Sequence, residues 1–152
     1  MEIRLLNDDI ETLRPIVESW QENIQDNDFG IIADDIDKYL TELSNMVLRP
    51  DADLIVLYDK ETPVGYIGLN YFESPLGNQR MANEHFFFVI PEKRGLSSMR
   101  LLKGAKYLAK LKGCSHIIFN ASNLASELHD KICKFYEKSE MKKFETSYIS
   151  EV

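Results

Sequence analysis

No apolar run in this 152-residue chain approaches the roughly 20 residues that a bilayer-spanning helix needs, so no membrane role is expected. The first residues, MEIRLLNDD, carry no basic region followed by an apolar stretch. A secretory signal is therefore not read, and a cytoplasmic location is expected. Two cysteines, Cys114 and Cys133, make neither a disulfide framework nor a zinc site. Three scattered histidines, His85, His116 and His129, show no metal-ligand spacing, so no metal is expected. Positive charge is also scarce: 18 Lys and Arg stand against 25 Asp and Glu, a net charge of −7. Nucleic-acid binding normally requires a basic surface that displaces counterions, and such binding is not expected here.

The charge deficit is local. Residues 1–50 hold 12 acidic and 4 basic side chains, a balance of −8, while the remainder is close to neutral. An acidic rim of this kind favours a cationic partner. With 44% hydrophobic and 28% charged residues, the composition is that of a globular chain, long enough for one domain with a real core, residues 1–152.

Periodicity orders the chain as an α/β domain. Met1 to Leu6 alternates as a first strand, and Ile10, Leu13, Ile16, Val17 and Trp20 sit at helical spacing, with Trp20 as a core anchor. Gln21 to Gly30 reads as a loop. A second helix runs from about Ala33, burying Ile36, Tyr39, Leu40, Leu43 and Met46–Val47 before Pro50. Ala52–Tyr58 and Val64–Phe72 read as two strands joined by the polar turn at residues 59–63. Ser74–Ala82 reads as a loop, and Phe86–Ile90 is a short buried strand closed by Pro91. A helix capped by Ser97 or Ser98 then runs to Gly113, followed by a strand at Cys114–Asn120. Strand, helix, strand at this length predicts a crossover joining two parallel strands. A last helix, roughly Ala125–Lys138, and a terminal strand, Lys143–Ile149, complete the order.

The stretch from Asn83 to Gly113 carries the chemistry. A buried strand, a polar turn and a helix N-terminus in succession make an anion cradle, because free N–H groups and the positive end of the helix dipole converge there. Arg100, Lys103, Lys106 and Lys110 line a basic face of that helix, either as a solvated stripe or as part of the cradle.

The residues V-I-P-E-K-R-G at Val89–Gly95, followed by a helix, resemble the central motif of the GCN5-related N-acetyltransferase (GNAT) superfamily. Starting the family pattern at Arg94 puts Ser97 and Met99 at glycine positions, whereas starting it at Glu92 puts Gly95 and Ser97 there. Lys134–Met141, KFYEKSEM, is similar to the family's later F-Y-x-x-x-G-F motif, with Glu140 and Met141 in place of Gly-Phe. The run E-H-F-F-F-V-I-P-E-K-R-G is also similar to small phage-encoded members.

This resemblance implies a single-domain mixed sheet of about six to seven strands flanked by about four helices, with acetyl-coenzyme A as co-substrate. It implies cofactor contacts from the main chain of Phe88, Val89 and Ile90, and from the turn and helix start at Arg94, Gly95, Leu96, Ser97, Ser98 and Met99. Asn120 and Asn123, at and after the next strand's end, are further contacts, although Asn123 serves equally as a helix cap. Tyr136 is implied as the group that protonates the leaving thiolate. Alternatively, it packs the helix with Phe135. Glu84 is the candidate base for the amine, with burial raising its pKa, and His85 is the alternative. Only one of these two neighbours can face the site on a regular strand. The acceptor is expected to be a small-molecule or lysine-like amine, contacted near Asp26, Asp28, Phe29, Tyr71 and Glu73. A homodimer could pair through Phe144–Ile149. The rival expectation is a GNAT-fold binding or regulatory module without turnover.

Overall fold

Alternation and helical spacing resolve, in the computed structural model, into one five-stranded sheet and four α-helices; residues 1–124 and 126–152 are described. The strands are β1 (Glu2–Leu5), β2 (Ala52–Asp59), β3 (Thr62–Glu73), β4 (Arg80–Val89) and β5 (His116–Ile118). They lie in the order β1-β2-β3-β4-β5, antiparallel except for the parallel β4–β5 pair. The helices are α1 (Arg14–Ile24), α2 (Ile36–Leu48), α3 (Leu96–Leu111) and α4 (Ser126–Lys138). The predicted crossover is α3, which joins β4 to its parallel neighbour.

Both faces of the sheet are covered, which is why β2 and β3 read as nearly continuous apolar runs. Leu13, Ile16, Val17, Leu40 and Leu43, from α1 and α2 and the 3-10 turn before them, pack on Leu54, Val56, Tyr58, Tyr66 and Phe88. Leu101, Leu102, Ala105 and Ala109 of α3 pack on Ile55, Leu57, Ile67, Leu69 and Val89 across the other face. Phe135 and Tyr136 of α4 join that second layer.

Several boundaries differ from those read in the sequence. The segment 21–24 continues α1 and buries Ile24, because polar residues there occupy only the outer face of the helix. Residues 80–82 belong to β4, since the hairpin from β3 pairs as far as Glu73–Arg80. Ser97 and Ser98 do not cap α3. Gly95 occupies the cap position at φ +90°, a conformation that favours glycine, and the two serines fall inside the first turn. The expected start of the last helix at Ala125 lies outside the described residues.

The expected strand at 143–149 does not form, and the sheet has five strands rather than six or seven. Among the described residues no strand of the sheet pairs with this segment, and β5, the edge strand next to β4, is only three residues long. Phe144 and Tyr148 are accordingly exposed. Strand pairing across a dimer would require this tail to become a strand on assembly.

Candidate active site

The parallel ladder between β4 and β5 ends at Asn83–Ile118, yet β4 runs on to Val89. The two chains therefore part at Glu84, and one edge of β4 opens into a fork. Tyr66 and Phe88 are paired and the Ile90 N–H donates to the Val64 carbonyl at 3.0 Å, so the peptide groups of Phe87 and Val89 face away from β3. The Phe87 peptide group and the Val89 N–H on that edge are available to an extended ligand, while the Val89 carbonyl is taken by Arg94.

A register shift in the β3–β4 ladder fixes which neighbour faces the fork. Gly68 pairs with Phe86 and Leu69 with Glu84, so His85 is the extra, bulged residue. His85 is exposed and stacks edge-on against Phe86, with ring centroids 4.5 Å apart. Glu84 turns inward and is only 5% exposed. Its carboxylate accepts the Asn120 N–H at 2.9 Å, while the Asn120 side-chain amide donates to the Glu84 carbonyl at 2.6 Å and to Asn83 Oδ1 at 3.3 Å. Asn120 thus staples the fork at its apex. Burial pushes the Glu84 carboxyl up to about 7, with the Asn120 N–H opposing that shift.

Tyr136 reaches the same staple from α4. Its hydroxyl donates to the Asn120 carbonyl at 3.2 Å, and its ring lies 5.9 Å from those of Phe119 and Phe135. Burial, then the Glu84 charge, holds its pKa above the ordinary tyrosine value, so it keeps its proton at neutral pH. A buried acid titrating near neutrality and a protonated phenol therefore share one backbone residue, Asn120. Such a pair can accept a proton at one point and supply one at another.

The expected cradle sits at the far end of the fork. The first helical bond of α3 runs from the Met99 N–H to the Gly95 carbonyl at 3.2 Å, and no side chain caps the helix. The N–H groups of Leu96, Ser97 and Ser98 are thereby left open for an anion. Arg94 behaves differently from expectation. Its Nε donates to the Val89 carbonyl at 3.0 Å, its Nη2 to Asn23 Oδ1 at 3.3 Å, and its guanidinium lies 5.3 Å from the Phe88 ring centroid. It ties α1 to the end of β4 instead of extending into the cradle. Burial accordingly lowers its pKa. Beside the cradle, a cavity of about 370 Å³ between α3 and α4 is lined by Met99, Leu102, Lys103, Lys106, Phe135 and Lys138, among others. Two members of the basic stripe thus border a cavity. Arg100 instead donates to the Met1 carbonyl.

Asn123 lies exposed in the bend before α4. Tyr71 donates to Asp53 at 2.8 Å beside Lys112, just beyond α3's C-terminal end, and is a core residue rather than an acceptor contact. The periodic reading assigned Trp20 and Tyr39 to the core; their rings stack at 4.3 Å, and Tyr39 meets Phe86 at 5.2 Å. Both also line a second cavity, of about 380 Å³, between α1, α2 and Leu124. Helical spacing marked them as apolar-facing, but only packing shows that their face borders open space. Among the described residues no helix is long and apolar enough to cross a membrane, and no cluster of His, Cys, Asp and Glu could hold a metal ion.

Comparison with known proteins places this geometry in a family context. The acetyltransferase (GNAT) family profile matches residues 16–140. No curated protein matches the sequence. Among solved structures, the ribosomal-protein-alanine N-acetyltransferase from Brucella melitensis biovar Abortus 2308 superposes with a TM-score of 0.74 at 17% identity, covering 100% of both chains. The aminoglycoside acetyltransferase meta-AAC0020 from an uncultured soil metagenomic sample, in complex with trehalose, gives a TM-score of 0.72 at 13% identity over 99% of this chain and 95% of that one. A transcriptional regulator from Bacillus halodurans C-125 gives 0.76 at 17% identity, covering 99% of each chain.

Proposed function

Because this chain belongs to the acetyltransferase (GNAT) family, we propose that it transfers acetyl from acetyl-coenzyme A to a primary amine by direct attack in a ternary complex. The observation that carries this reading is the Glu84–Asn120–Tyr136 arrangement at the point where β4 and β5 part. Acetyl-coenzyme A supplies the activated acyl group as a thioester. The open edge of β4 suits an extended amide-bearing chain, and the free N–H groups of Leu96–Ser98 suit its phosphates. The Lys103, Lys106 and Lys138 side chains beside them add positive charge.

In this scheme Glu84 takes the proton that the attacking amine must lose. The amine nitrogen bonds to the acetyl carbon, the C–S bond breaks, and the Tyr136 hydroxyl gives its proton to the leaving thiolate. A carboxyl titrating at about 7 is matched to this task near neutral pH. Arg94 acts as a positioning residue that holds the end of β4.

Thermal unfolding with acetyl-coenzyme A, against coenzyme A and ATP as controls, tests the reading. A ligand present at 100 times its dissociation constant stabilises by about 2.7 kcal/mol. A coenzyme-specific shift with thiol release on amine addition is expected, and absence of both refutes it. A second reading, a coenzyme-binding or regulatory module without turnover, draws on the Arg94 bond to the Val89 carbonyl, which occupies part of the β4 edge. A coenzyme-induced shift without thiol release toward any amine would favour it.

A further inference from the structure

The free edge of β4 is closed at one point by the protein itself. Among the peptide groups that face away from β3, the Val89 carbonyl accepts the Arg94 Nε–H at 3.0 Å. Arg94 Nη2 donates to Asn23 Oδ1 at 3.3 Å, and the guanidinium lies 5.3 Å from the Phe88 ring centroid. Asn23 is itself fixed. Its Nδ2 donates to the Ser19 carbonyl at 2.7 Å, one turn back in α1, which leaves Oδ1 for Arg94. A single side chain thus ties α1, the end of β4 and the turn before α3 together.

The tie is made with neutral partners. Among the described residues Arg94 forms no ion pair, although its neighbour Lys93 pairs with Asp59 at 2.6 Å. Arg94 also directly precedes Gly95, the residue at the cap position of α3, so it borders the open N–H groups of Leu96, Ser97 and Ser98. An anion seated on those groups competes for the guanidinium, because a charged acceptor bonds a cation roughly twice as strongly as a neutral oxygen does.

We infer that Arg94, anchored by Asn23, latches the edge of β4 against uncharged pantetheine chains and yields it to a thioester that carries phosphate. The inference rests on the acetyltransferase reading and concerns how that site chooses its acyl donor. With the latch in place, an extended chain pairs only with the Phe87 peptide group and the Val89 N–H. A phosphate at the start of α3 draws Arg94 away, and the Val89 carbonyl then accepts an amide N–H of the same chain. Arg94 blocks the edge directly, whereas Asn23 is a positioning residue that acts through it.

Pantetheine, which has the amides and the thiol but no phosphate, and coenzyme A are titrated calorimetrically into the full-length protein, Arg94→Met, Asn23→Ala and the double variant. Arg94→Met keeps an apolar stem beside Phe88 and donates nothing. Asn23→Ala leaves Arg94 intact and places a strong helix former in α1, so it folds. Pantetheine is expected to bind roughly fivefold tighter to Arg94→Met and roughly twofold tighter to Asn23→Ala, with the double variant no tighter than Arg94→Met. Coenzyme A gains less than pantetheine, so the preference for the phosphate-bearing chain narrows. A purely structural tie would lower Tm and leave pantetheine affinity unchanged or weaker. That result overturns the inference, since the chain would then use the second lone pair of the Val89 carbonyl beside Arg94. Full additivity of the two substitutions overturns it as well. Coenzyme A binding with equal pantetheine affinity throughout refutes the latch alone, whereas no coenzyme A binding by any of the proteins refutes the coenzyme reading and the latch with it.

Discussion

Replacing Glu84 by Gln isolates the energetic signature of a buried acid. The carboxyl lies at about 7 in the folded protein against an ordinary value of 4.5, and the shift comes chiefly from burial. Between these values the native state holds a proton that the unfolded chain has released, so stability falls as pH rises. The stabilising contribution is complete below about pH 4.5 and is lost as pH passes through 7. A shift of this size corresponds to about 3 kcal/mol in full, of which about 2.5 kcal/mol falls between pH 5 and 8. The amide introduced by Glu84→Gln would keep an oxygen for the Asn120 N–H and carry no charge at any pH. Urea unfolding of both proteins at pH 5, 6, 7 and 8 therefore gives a difference that moves steadily in favour of Glu84→Gln, by about 2.5 kcal/mol, or about 5–10 °C in Tm for a chain of this size. Other titrating groups cancel in the comparison. A difference constant within about 0.5 kcal/mol across that range would mean that the carboxylate is solvated and the reasoning wrong.

Further expectations concern single groups. In the acetyltransferase assay, activity of the native protein rises through about pH 7, and Glu84→Gln flattens that rise; an unchanged profile removes Glu84 as the base. Tyr136→Phe lowers kcat roughly a hundredfold with KM for acetyl-coenzyme A little changed, whereas equal loss of both would make Tyr136 a packing residue. Gly95→Ala meets no neighbouring atom but must adopt φ +90°, so it costs about 1–3 kcal/mol in denaturant unfolding; a neutral result would show that the turn relaxes freely. Arg94→Ala removes the bonds to Val89 and Asn23 and destabilises by about 2 kcal/mol by the same measurement. Arg94→Lys recovers only part of this, since an ammonium cannot keep the forked geometry.

Much of the architecture was already legible in local pattern. The apolar run in Val64–Phe72, the 3.6-residue spacing in Leu101–Ala109 and the Gly113 stop depend on near neighbours, and the corresponding elements form where those patterns put them. The central turn and the Phe135-Tyr136 pair pointed to the family for the same reason, because short motifs preserve local chemistry. The terminal strand could not be read this way. Phe144–Ile149 has a strand's alternation, but a strand exists only when a partner edge is long enough to pair with it, and β5 is three residues long.

The composition and order of residues set the α/β class, the covered sheet and the anion-seeking start of α3, since propensity and periodicity act over a few positions. Assembly in space set the rest. The bulge at His85 comes from the β3–β4 register and turns Glu84 inward. The Asn120 backbone that joins Glu84 to Tyr136 lies 36 positions from the first and 16 from the second in the chain. Arg94 also donates to Asn23 of α1, a helix whose contact with that turn no local pattern encodes. Hydrogen bonds and burial between distant segments have no signature in neighbouring letters, because their energy depends on which surfaces the fold brings face to face.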